Sequence, residues 1–162
     1  MSAGDWMREK LTTQGYGLSD MERRELWLAL RFSTGVCLAL VVTGLALRST
    51  VMILALVPIG AAAGFTARHP FDYVWNRVVR HAVGGPALPP NPVRRRHAFK
   101  LATVWLAAVG VLLAAGATTA GLVLGGLLVA ACATVTATNL CLPSEALALC
   151  QRLTIRDRVA TT

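Results

Sequence analysis

Lys100 and Glu145 bracket 44 residues that contain no Asp, Glu, Lys or Arg. A soluble core is interrupted by charge far more often than that, so this stretch belongs in lipid. At 1.5 Å per residue it would measure about 66 Å as a helix, enough to cross a hydrocarbon layer of roughly 30 Å twice. Ala117-Thr118-Thr119-Ala120 is the expected turn between the crossings. Upstream, Phe32–Leu47 and Ser49–Ala67 are two further apolar runs divided only by Arg48, and the first extends back through Leu26-Trp27-Leu28-Ala29-Leu30. The expectation is an all-α integral membrane chain with four transmembrane helices near 26–47, 50–67, 99–117 and 120–140. They form two hairpins, 26–67 and 99–140, flanked by an N-terminal segment 1–25 and a C-terminal segment 141–162 and joined by a basic loop, 68–98.

Charge orients these spans. Arg8, Lys10, Arg23, Arg24 and Arg31 fall before or at the start of the first, seven more from Arg68 to Lys100 lie between the hairpins, and Arg152, Arg156 and Arg158 follow the fourth. Only Arg48 lies in an outward turn. Positive flanks resist translocation, so both termini and the central loop are expected in the cytoplasm. The net charge of +8 is then a membrane signature and calls for no nucleic acid. With 55% hydrophobic and 15% charged residues, a disordered chain or a secreted disulfide scaffold is excluded. The first 25 residues mix charges, so the first span is expected to act as its own targeting signal.

Ser19-Asp20-Met21-Glu22 has the form of a capping box, from which a helix is expected to run unbroken through Trp27 into the membrane. Residues 1–17, with three glycines, are expected to be loosely held. In the loop, Phe71, Val74, Trp75, Val78, Val79 and Ala82 recur at helical spacing, opposite Asp72, Asn76, Arg77, Arg80 and His81. That predicts an amphipathic interfacial helix, started at Pro70 and ended by Gly84-Gly85-Pro86. Trp75, Arg77, Arg80 and the re-entering tract Arg94-Arg95-Arg96 are the candidate contacts to lipid headgroups or to another subunit.

Within the spans, Gly60 and Gly64, Gly121 and Gly125, and the stripe Gly126, Ala130, Thr134, Thr138 place small residues four apart, the spacing that lets helix backbones approach. Pro58 is expected to kink the second span. No ionisable Asp, Glu, Lys, Arg or His lies deep in a span, which disfavours proton relays and charged-substrate transport. The two hairpins read as a parallel duplication or as two unrelated hairpins of similar length.

Cys37, Cys132, Cys141 and Cys150 make no CxxC pair, so zinc of the finger type is not expected; no metal or other cofactor is predicted, and a bound lipid, quinone or pigment is left open. Cys141 stands apart in Asn139-Leu140-Cys141-Leu142-Pro143-Ser144, where Ser144 is placed to cap a following helix towards Leu153 and His69 is placed to approach the thiol.

His69-Pro70-Phe71-Asp72 with Asn76 and Arg80, then Gly85-Pro86, Leu88-Pro89-Pro90-Asn91-Pro92, Arg95-Arg96 and Cys141-Leu142-Pro143-Ser144, resemble a family of small bacterial membrane proteins, domain-of-unknown-function family 4395. The resemblance covers roughly residues 30–147 and implies a four-span bacterial fold without an assigned activity. The expectation for function is a non-enzymatic accessory or structural subunit of a larger membrane complex, in contact with anionic lipids and other membrane subunits. The alternative is a sulfur-transfer or redox relay protein using Cys141.

Overall fold

A computed structural model describes residues 2–146 and 148–150. The expected basic positions Arg152, Arg156 and Arg158, and the helix towards Leu153, lie outside the described residues. Those described are helices and connections without a strand. In order they are α1 (Ala3–Thr13), α2 (Asp20–Leu26), a short 3-10 turn (Ala29–Arg31), α3 (Phe32–Ala46), α4 (Thr50–Phe65), α5 (Pro70–Val74), a π-helical turn (Trp75–Val79), α6 (Arg80–Val83), α7 (Val93–Ala114) and α8 (Thr118–Thr138).

Among the described residues three helices are long and apolar enough to cross a membrane: Ala29–Ala46, Val93–Ala114 and Thr118–Thr138. A fourth is reached by joining Thr50–Phe65 to Pro70–Val83 across a bend of 80°. α3, α4, α7 and α8 close into a ring in which α4 packs on α7, α7 on α8, α8 on α3 and α3 on α4. Its centre is Val41, Ile53, Leu56, Leu106, Val109 and Leu128. Within it Gly110 lies on α7 where an added Cβ would stand 2.4 Å from the Leu54 side chain, so the close passage of α4 and α7 depends on its missing side chain.

The turns differ in detail from the expectation. Arg48 sits in the left-handed region at φ 50° between α3 and α4. The α7–α8 turn falls at 115–117, with Gly116 at φ 77°, and α8 already starts at Thr118. α7 begins at Val93, well before residue 99, because Pro92 offers an extended N-cap and helix continues through the arginine tract. α4 runs through Pro58 as one helix whose ring faces outward, and the sharp change of direction comes after Phe65, where Thr66 turns extended.

Two N-terminal expectations are corrected. The Ser19 capping box forms, with Glu22 bonded back to the Ser19 amide, but its helix ends at Leu26, and the chain turns through residues 27–31 before α3 begins. Leu26, Ala29 and Leu30 are buried there in a second core with Leu11, Tyr16 and Leu88. Residues 2–17 are not loose: α1 carries its own capping box, Ser2 with Asp5, and Leu11 within it and Gln14 and Tyr16 just after it are buried. Both boxes lower local cost, and at the second the backbone and hydroxyl donors of Ser19 hold the Glu22 carboxyl below its ordinary pKa.

The predicted interfacial helix spans Pro70–Val83 but wears a different face inward. Asp72, assigned to the polar outer side, is buried, whereas Val74, Val78 and Val83 are exposed. The π turn at Trp75–Val79 adds a residue to the winding and shifts the stripe, so one helical period does not describe the whole segment.

Candidate functional site

Asp72 is the hub of a buried polar cluster where α3, α5 and α7 begin. The local cause is a short motif: His69 is the N-cap, Pro70 the first helical residue and Asp72 the third, so the carboxylate reaches back to accept from the His69 backbone N–H at 2.8 Å. Its other donors come from afar. Ser33, in the first turn of α3, donates its hydroxyl to Oδ1, and the Asn91 amide donates to Oδ2 at 2.8 Å. The Asn91 carbonyl oxygen accepts from the Tyr16 hydroxyl at 2.8 Å, and Tyr16 in turn accepts from the Arg95 guanidinium at 2.8 Å. Arg95 also donates to the Leu30 carbonyl at 2.8 Å.

Each link has one direction, from guanidinium through phenol and amide to carboxylate, so a buried positive charge and a buried negative charge are joined by two neutral groups that both donate and accept. The rings of Tyr16 and Phe99 lie 5.4 and 5.6 Å from the guanidinium. Burial raises the Tyr16 phenol above its ordinary pKa, against the opposing pull of Arg95. Gly15 makes the approach possible: at φ +100° it turns the chain out of α1, and a Cβ there would stand 3.2 Å from Pro92.

His69 is 1% exposed, between the rings of Phe71 and Phe99. Its Nδ1 accepts from the Phe71 backbone N–H at 3.1 Å, which assigns the ring proton to Nε2, and Nε2 faces the Cys37 sulfur at 3.5 Å. The imidazole therefore presents a proton to that thiol and not a lone pair, and cannot act as its base. Burial pushes the imidazole pKa down to about 4, with Asp72 opposing. The thiol that His69 meets is that of Cys37, not the expected Cys141. Cys141 is buried just before a helical stretch that starts at residue 142, so Ser144 lies inside that stretch and is not its cap. Among the described residues no three His, Cys, Asp or Glu side chains are grouped to hold a metal ion.

The arginines expected at a lipid or partner surface are largely spent within the chain. Arg95 is buried, Arg94 donates to the Thr13 carbonyl at 3.3 Å, and Arg96 donates to the Phe65 carbonyl at 2.8 Å. Trp75 donates its indole N–H to the Pro86 carbonyl at 3.0 Å and packs against Phe32. Arg77 stays exposed near the Tyr73 ring, and Arg80 is half-exposed. Of the glycines, Gly60 faces Thr103, Gly64 faces Lys100, Gly121 faces Leu113 and Gly125 faces Leu45. Gly126 and Ala130 point away from the ring, and a Cβ on Gly126 would meet nothing within 4 Å.

Sequence reasoning missed Tyr16, Ser33 and the inward roles of Asp72, Asn91 and Arg95. The one local signal was His69-Pro70-x-Asp72, a capping motif whose acid is committed to the backbone. The cluster ties three segments to one end of the ring, since Lys10 also pairs with Glu145 at 2.8 Å and Gln14 donates to the Asn139 carbonyl at 2.6 Å. No curated protein and no solved structure matches the chain. A family model, the domain of unknown function DUF4395, matches residues 28–152 and so takes in Ser33, His69, Asp72, Asn91 and Arg95 but not Tyr16. The chain, built from apolar helices about this cluster, belongs to the DUF4395 family.

Proposed function

We propose that the chain is a non-enzymatic, multi-pass protein of the bacterial inner membrane, an accessory or structural subunit that packs against a larger membrane complex. The observation that carries the proposal is the outer face of α8. Gly60, Gly64, Gly121 and Gly125 are used within the chain, while Gly126, Ala130 and Thr134 form an exposed strip that no helix among the described residues covers. In lipid there is no hydrophobic drive between helices, so association proceeds through surfaces on which backbones approach closely. The polar cluster supports the same view, because its groups are mutually satisfied and the one thiol–imidazole pair has its proton on the wrong nitrogen for activating the sulfur. Contacts among residues 10–16, 91–95 and 139–145 support a shared cytoplasmic side for the two termini and the loop.

Extraction in a mild detergent, followed by mass analysis of the intact particle, tests the proposal. A particle of defined stoichiometry with other membrane subunits is expected, weakened by Gly126→Leu with Ala130→Leu. Recovery as a lone monomer under several mild conditions would overturn it.

A further inference from the structure

On the outer face of α3 a groove of about 580 Å³ runs between that helix and the bent segment Pro70–Val83. Gly35, Val36 and Ala39 form its floor, Phe32 and Trp75 its aromatic end, and Arg31 its mouth. From Arg31 to Ala39 it extends about 12 Å along the helix, most of the depth of one leaflet, and does not cross the bilayer.

Arg31 is the telling residue. Its guanidinium stacks 4.4 Å over Trp27, Nε donates weakly to Asn139 at 3.4 Å and Nη2 reaches the Met7 sulfur at 3.5 Å. Among the described residues no carboxylate pairs with it. Arg95 has its charge offset inside the chain through the links to Asp72, whereas Arg31 is half-buried at the end of an apolar slot, and the contacts it makes among the described residues are to the neutral Trp27, Asn139 and Met7. A cation so placed draws an anion, and the slot below it takes hydrocarbon.

We propose that this groove seats one anionic phospholipid, with its phosphate on Arg31 and one acyl chain lying over Gly35, Val36 and Ala39 against Phe32 and Trp75. Inorganic phosphate satisfies the guanidinium but leaves the slot empty; a zwitterionic lipid of the same chains fills the slot but brings a cation to Arg31. The proposal does not depend on a partner subunit.

Native mass spectrometry of the whole protein in mild detergent separates these cases. With phosphatidylglycerol added, one retained molecule is expected at concentrations where phosphatidylcholine of identical chains is not retained. Arg31→Gln should lower the bound fraction about tenfold, as loss of one charge-assisted contact does. Arg31→Lys should restore much of it, which separates loss of charge from loss of fold. Ala39→Trp, at an exposed position, should block the slot with the charge intact, and circular dichroism should show unchanged helix content for each variant. Equal retention of the two lipids, displacement by millimolar inorganic phosphate, or phosphatidylglycerol binding unaffected by both Arg31→Gln and Ala39→Trp would overturn the proposal.

Discussion

Tyr16 and Arg95 meet across 79 residues of sequence, the guanidinium donating to the phenol oxygen at 2.8 Å. This contact clips α1 and its connection onto the first turn of α7, and Tyr16→Phe removes it while keeping the ring in the core. Two hydrogen bonds are lost and a buried charged donor is left short of a partner, a cost of about 2–4 kcal/mol. Hydrogen exchange in residues 3–16 should rise first, ahead of any change in the four-helix ring. Unchanged protection there would mean that the apolar contacts of Leu11 hold α1 by themselves.

Asp72→Asn should be more damaging than Tyr16→Phe. The substitution leaves Arg95 buried without its compensating charge, and losses of this kind run to about 3–5 kcal/mol. Denaturant titration in micelles measures it. Pairing Asp72→Asn with Arg95→Met should cost less than the sum of the two single changes, because the double variant buries no unbalanced charge. Strict additivity would show that the two charges do not sense one another through Asn91 and Tyr16.

The glycines make a contrast that thermal unfolding can read. At Gly60 a Cβ would stand 2.5 Å from Thr103 Oγ1, which is itself bonded to the Phe99 carbonyl, so Gly60→Leu should separate α4 from α7 and cost about 1–3 kcal/mol. Gly126→Leu meets open space and should leave the isolated chain at least as stable, since leucine favours helix over glycine by up to about 1 kcal/mol. Destabilisation by Gly126→Leu in the free chain would show that the outer strip of α8 is packed within the chain.

His69 predicts a pH dependence of definite sign. Its folded pKa, about 4, lies below the ordinary value of 6.5, so the folded state binds fewer protons than the unfolded one in between. Stability from this group is fully present above about pH 6.5. It falls as pH drops towards 4, by at most about 3 kcal/mol. The difference between wild type and His69→Gln, followed from pH 8 to 4, isolates the contribution from that of the carboxylates. An equal slope for both proteins would mean that the imidazole takes up protons with the same affinity in the folded and the unfolded chain.

Hydropathy and the placement of arginines determined the apolar helices, because a charge-free run of 44 residues has no stable home but lipid and a helix in lipid satisfies its own backbone. The capping boxes at Ser19 and at His69-Pro70-x-Asp72 are local for the same reason, each needing only residues three apart. What periodicity could not determine was which polar side chains turn inward. Asp72 and Arg95 read as surface residues on any helical wheel, and their burial becomes affordable only when Asn91, Tyr16, Ser33 and Leu30 arrive from other segments with their hydrogen bonds. The ordering of residues 2–17, the break after Leu26 and the meeting of His69 with Cys37 have the same origin. Each rests on contacts between positions far apart in sequence, whose value exists only once the ring of helices has brought them within reach.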